Sequence, residues 1–193
     1  MRVAFDSRPG ADTRSVGHYA RCLLRALRDT AGERDEILET HRPRSAEVFH
    51  APWLEGAMLR SPCPMVVTIH DVVAFTRPSE RLRCGGVHLH LRHLALQRAT
   101  HVIVPTEVVA CEAVSELGLE REHVVVIPAA PEPVAYAPCQ PAPPVLPRTW
   151  EDVGRETWRV YEDARTQPKR ACVAGSSRRL GARAPRGPSS AGL

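Results

Sequence analysis

Val66-Val67-Thr68-Ile69-His70-Asp71 runs four β-branched residues straight into two ionisable ones. A buried parallel strand reads this way when it carries side chains to the carboxyl edge of a sheet. In open α/β sheets, ligands bind outside that edge. A small-molecule site containing His70 and Asp71 is therefore the first expectation, and the neighbouring segments are read around it.

Upstream, residues 2–6 form a short strand pattern, followed by a polar, Gly-containing loop from Ser7 to Arg14. Ser15 can cap a helix reaching about Thr30, with Val16, Tyr19, Ala20, Leu23 and Leu27 as its apolar stripe. Residues 32–46 are charged and weakly patterned and receive no element. Glu47-Val48-Phe49-His50 is a brief strand closed by Pro52. Downstream, a helix is expected over 79–99, weakened by Gly85-Gly86, then a strand at 101–104. Thr106 caps the next helix and Gly118 stops it. A last strand, 124–127, ends at Pro128. Strands alternating with helical patterns imply βαβ units. The expected fold class is α/β, a Rossmann-like parallel sheet with helices on both faces.

The texture then changes. Residues 128–147 hold eight prolines, too many for a helix or a central strand. Thr149 and Asp152 are spaced like a capping box for one more helix, with Trp150, Val153, Thr157, Tyr161 and Ala164 along one face. A lone helix cannot bury such a stripe, so it must dock on the main domain or on another chain. The expected organisation is a domain over 1–135, a Pro-rich linker over 136–147, a docking helix over 148–165 and a disordered basic tail over 166–193.

Charge follows the same division. Residues 165–193 contain seven of the 26 Lys/Arg and no acidic residue, leaving 19 basic against 22 acidic in the body. The basic character belongs to the tail, which lacks interleaved aromatics, so no specific nucleic-acid partner is expected. The six cysteines are scattered singly, giving neither a C-x-x-C pair nor a disulfide framework. No stretch reaches the roughly 20 apolar residues of a membrane span, and the N-terminus carries no signal segment. A cytoplasmic location is the expectation.

Each candidate residue admits a functional and a plain structural reading. Gly17, at the loop-to-helix junction, either receives a phosphate at a helix N-terminus or permits close helix–strand packing. His70 either hydrogen-bonds a ligand hydroxyl or is satisfied by a backbone carbonyl. Asp71 orients His70 or caps the following turn. His50 and Trp53 either line the same edge, where the Trp face suits sugar stacking, or pack in the core and rim. Arg8 and Arg14 either meet an anionic ligand or are solvated. Among His88, His90 and His93, only the last two share a helix face, and no acidic ligand is suitably spaced. No metal site is expected, and without a G-x-G-x-x-G no dinucleotide cofactor either.

Taken in order, these segments resemble the N-terminal half of a family 4 glycosyltransferase of the two-domain GT-B fold. The likeness is carried by Val3 to Arg8 with Ser15-Val16-Gly17-His18-Tyr19, and by Val48-Phe49-His50-Ala51-Pro52 with Val66 to Asp71. Arg98 to Thr106 and Val125-Val126-Ile127-Pro128 complete it. The segment Thr149 to Tyr161 is similar to the family's terminal helix, which crosses back from the C-terminal domain. Here it follows the linker almost at once, so the donor-binding domain is expected to be missing. Glutamate pairs with the spacing of the family's donor site (Glu39/Glu47, Glu47/Glu55, Glu112/Glu120) lack its Gly- and Pro-rich context and are given no role.

The resemblance implies a retaining transferase using a nucleotide-diphosphate sugar and an acceptor glycan or lipid, without a metal. His70 and Asp71 would be catalytic; Gly17, His50, Trp53 and Arg8 would bind substrate. The chain itself is expected to be weakly active or inactive, with self-association through its exposed interdomain face. The competing expectation is a non-enzymatic glycan-binding or transferase-docking module.

Overall fold

The computed structural model describes residues 1–13, 15–76, 86–131 and 148–167. The expected Pro-rich linker and all of the expected basic tail beyond residue 167 lie outside the described residues, as do Arg14 and the start of the helix expected over 79–99. The described chain runs β1 (Arg2–Phe5), α1 (Ser15–Asp29), β2 (Glu36–Glu39), β3 (Val48–Ala51) and β4 (Met65–Thr68). It continues through α2 (Val73–Thr76), α3 (Gly86–Leu96), β5 (His101–Val104), α4 (Glu107–Leu117), β6 (Val124–Val126) and α5 (Trp150–Thr166).

All strands pair in parallel in one six-stranded sheet, ordered β2-β1-β3-β4-β5-β6. The α/β Rossmann-like expectation holds. β3, β4 and β5 are buried along their whole length, which is why they read as continuous aliphatic runs rather than alternating ones. The strand at 36–39 was not anticipated. It is one of the two edge strands, begins and ends on Glu36 and Glu39, and only half of its side chains need be apolar. The strand containing Val66 stops at Thr68, so His70 lies two residues beyond it, in the loop.

Direction along the sheet decides where the helices lie. β1 to β2 moves one way; β3 through β6 moves the other. Crossover connections share one handedness, so helices of oppositely directed steps fall on opposite faces. α1 accordingly packs on one face, with Leu23 and Leu27 against Val3, Phe5 and Val48. α3 and α4 pack on the other, with Leu89, Leu96, Ala113 and Leu117 against Phe49, Val67, Val102 and Val124. The first face would remain bare over β3 to β5 if α1 were its only cover.

α5 fills that space. Its Val153, Trp158, Tyr161 and Ala164 join the cluster under α1. Trp158 Nε1 donates to Leu27 O at 3.1 Å, satisfying a carbonyl in the last turn of α1 that has no partner within its helix. A Cβ on Gly154 would stand 2.9 Å from Ala26 O, so this glycine lets the two helix backbones meet. The capping box forms: Asp152 N donates to Thr149 Oγ1 at 3.2 Å and Thr149 N to Asp152 Oδ2 at 3.0 Å. The cap at Thr106 is likewise present, with Gly118 in the left-handed conformation after α4.

Candidate functional site

The order β2-β1-β3 makes a topological switch point between β1 and β3, where successive connections depart in opposite directions. The crevice outside the carboxyl ends of two such strands is the usual ligand position in open α/β sheets. Asp6 and Arg8 follow β1 here, and Trp53 follows β3.

These three side chains form one unit. Asp6 is fully buried. Arg8 donates to it from Nε at 2.8 Å and from Nη2 at 2.7 Å, and Trp53 Nε1 donates to Asp6 Oδ2 at 2.9 Å. Burial pushes the Asp6 carboxyl up, but the bonds from Arg8 and Trp53 outweigh it and hold the group below its usual range. The Arg8 guanidinium also lies 5.7 Å from the centre of the Trp53 ring. Arg8 is thus neither a solvated loop residue nor an isolated cation. It is half exposed, with one edge spent on a buried carboxylate and the other facing outward.

His70 stands next along the edge. Its Nε2 lies 3.2 Å from Pro52 O. A carbonyl only accepts, so Nε2 carries the proton and a neutral ring keeps a lone pair on Nδ1. Burial pushes the imidazole down from its ordinary value, partly countered by the Pro52 carbonyl and by the charges of Asp71 and Glu55. The ring meets Tyr19 edge-on at 4.7 Å, and Tyr19 meets Trp150 of α5 at 5.6 Å. Asp71 is exposed, and its Oδ1 accepts from Val73 N at 2.9 Å, capping the turn that becomes α2.

Two further candidate residues are buried. His50 is completely buried, with Nδ1 2.5 Å from Tyr161 Oη and Nε2 2.9 Å from Thr68 Oγ1. One ring nitrogen donates and the other accepts, so a neutral ring is fully satisfied and offers nothing to a ligand. Burial drives it down to about 3, against the pull of the Asp6 charge. Its expectation as an edge-lining residue is corrected to a core role, because α5 covers the face on which its side chain lies. Gly17 is buried, and a Cβ there would lie 2.0 Å from Asp12 O and 2.6 Å from Pro9 O. The space a side chain would need is taken by the carbonyls of its own loop, so a glycine is required for the loop to close on the start of α1.

Asp6, Tyr19, Thr68 and Tyr161 were not singled out from sequence as parts of this site. Asp6 carried a signal, an acidic residue at the end of a buried strand two positions before an arginine. Tyr19 and Tyr161 read as ordinary helix-stripe residues, and nothing local distinguishes them. The histidines of α3 do not gather: His88 and His90 are exposed, while His93 Nε2 donates to Leu117 O at 2.8 Å.

No curated protein matches the chain. Residues 3–130 match the family model for Glycosyltransferase Family 4, from within β1 through β6 and including the Asp6, Trp53 and His70 edge, and the chain belongs to that family.

Proposed function

We infer that residues 1–130 form the acceptor side of a nucleotide-sugar-dependent, retaining glycosyltransferase of the GT-B type, and that this chain by itself transfers sugar weakly or not at all. The observation that carries the reading is the His70 ring, anchored through Nε2 with Nδ1 left to accept from a sugar hydroxyl, at the sheet's carboxyl edge. Asp71 lies beside it to offset positive charge. Trp53 supplies an apolar ring held in place by Asp6, and Arg8 supplies outward N–H donors.

The reduced activity follows from the order of segments. Only residues 131–149 separate the matched region from the helix that packs back on it. A domain needs at least about 50 residues, so a donor-gripping domain does not fit between them. Losing several charge-assisted contacts at about 1.5–3 kcal/mol each removes most stabilisation of a departing diphosphate. The same observation favours a second reading, a non-enzymatic module that keeps glycan binding at this edge.

Calorimetry with oligosaccharides, run beside hydrolysis of UDP-, GDP- and ADP-sugars, tests both. Weak saccharide binding that His70→Ala abolishes, with donor turnover at background, supports the acceptor-side assignment. Binding indifferent to His70→Ala overturns it. Robust donor hydrolysis overturns the second reading and the reduced activity together.

A further inference from the structure

At the opposite, amino edge of the sheet, three side chains converge on one point just before β6. His123 Nε2 lies 3.2 Å from Glu120 Oε2 and 3.3 Å from Glu122 Oε1. All three ligand atoms fall within 4.8 Å of one another. Divalent first-row cations bind nitrogen and oxygen at about 2.0–2.2 Å, which sets neighbouring ligand atoms about 3.0–3.5 Å apart. The two His–Glu separations lie in that window.

The imidazole is also held as a ligand is held. His123 Nδ1 lies 2.9 Å from Thr100 O, so Nδ1 must donate and Nε2 is the nitrogen directed at the carboxylates. A ring N–H bonded to a backbone carbonyl is the usual outer-shell support of a metal-binding histidine, since it fixes tautomer and ring orientation together. The support is itself rigid. His123 N donates to Glu120 O at 3.0 Å, closing the turn that presents all three residues, and Arg121 Nη1 ties that turn to Val124 O at 2.7 Å. Next to it, the buried His101 ring is centred 6.0 Å from that of His123, and His101 Nε2 lies 2.8 Å from Asp163 Oδ2 of α5.

We propose that Glu120, Glu122 and His123 form a binding site for a divalent first-row cation such as Zn2+, on the edge of the sheet remote from His70. One imidazole with two carboxylates suits Zn2+, Co2+ or Mn2+ better than Mg2+ or Ca2+, which favour all-oxygen shells. Water completes the coordination, because both glutamates are exposed. The cation would pin the Glu120–His123 turn between the starts of β5 and β6, a structural role independent of the sugar-transfer reading.

The test is a titration of the full chain with Zn2+ by calorimetry, repeated with Co2+ and read by visible absorption. One Zn2+ per chain is expected, with Co2+ bands lacking thiolate charge transfer and a Tm that rises with added metal. Glu120→Gln/Glu122→Gln, which alters only exposed carboxylates, should weaken binding at least tenfold, and His123→Ala should do the same. Absence of saturable binding overturns the proposal. So does binding that survives in both variants, or a thiolate charge-transfer band, which would place the metal on cysteine.

Discussion

The two faces of the sheet are closed in different ways. The face under α3 and α4 is sealed by helices that lie between the strands they cover, and its buried cluster is built mainly from aliphatic residues, among them Val67, Val102, Val104 and Leu117. The face under α1 is completed by α5, from beyond the last strand, and contains a polar thread: Thr68, His50 and Tyr161 hydrogen-bonded in series. Local connections close a face by burial alone. A helix arriving from far along the chain needs directional contacts to set its register, and here those are the Tyr161 hydroxyl, the Trp158 N–H and the narrow seat at Gly154.

That contrast can be broken most severely at Trp158. Trp158→Ala removes a large buried ring and the bond to Leu27 O, and should cost about 3–5 kcal/mol, read by urea unfolding. Leu117→Ala on the opposite face should cost about 2–5 kcal/mol while leaving α5 docked; limited proteolysis before residue 148 would show the difference. If both variants release α5 equally, the two faces are not separately closed.

Acid distinguishes the faces next. His50 is held neutral by burial, down to about 3 from an ordinary 6.5. A base whose value is depressed on folding contributes stability that is full above about 6.5 and lost as pH falls toward 3. Each unit corresponds to about 1.4 kcal/mol, so a loss of several kcal/mol across that window is expected. His50→Leu should flatten the pH profile of unfolding there; an unchanged profile would mean that His50 is not the titrating group. Tyr19, pushed up to about 12 by burial with Thr68 pulling the other way, gives an alkaline counterpart. Its contribution is full below about 10 and lost as pH rises toward 12.

Smaller effects sharpen the comparison. Tyr161→Phe deletes one hydroxyl and leaves a buried His50 nitrogen unpaired, at about 1–3 kcal/mol. Replacing His50 by Leu in the same background should recover part of that loss, because the unpaired ring nitrogen is then gone and only Thr68 Oγ1 loses its bond to the ring; a double-mutant cycle in urea checks this. Thr149→Ala removes only the cap of α5 and should cost about 1 kcal/mol, detectable as a shifted urea midpoint with an unchanged slope.

The positions of His70 and Asp71 were legible because strand burial and strand ending are both local: aliphatic residues run until the chain leaves the sheet, and the next polar residues stand at its edge. The capping residues Thr106 and Thr149 and the stop at Gly118 were legible for the same reason, since each acts within one helical turn. Strand 36–39 was not, because an edge strand with charged ends has no continuous apolar run to announce it.

His50 shows where local reading ends. Its place just before Pro52 was visible in the chain, and its neighbours left both an edge and a core reading open. Which it became depended on Tyr161, 111 positions away. Gly17 is a similar case, since the carbonyls of Pro9 and Asp12 that demand a glycine there are brought close only by the folded loop. Periodicity and turn chemistry are short-range and can be read from neighbouring residues. Whether a polar group meets water, a ligand or another buried group depends on which distant surface closes over it, and that is set by packing.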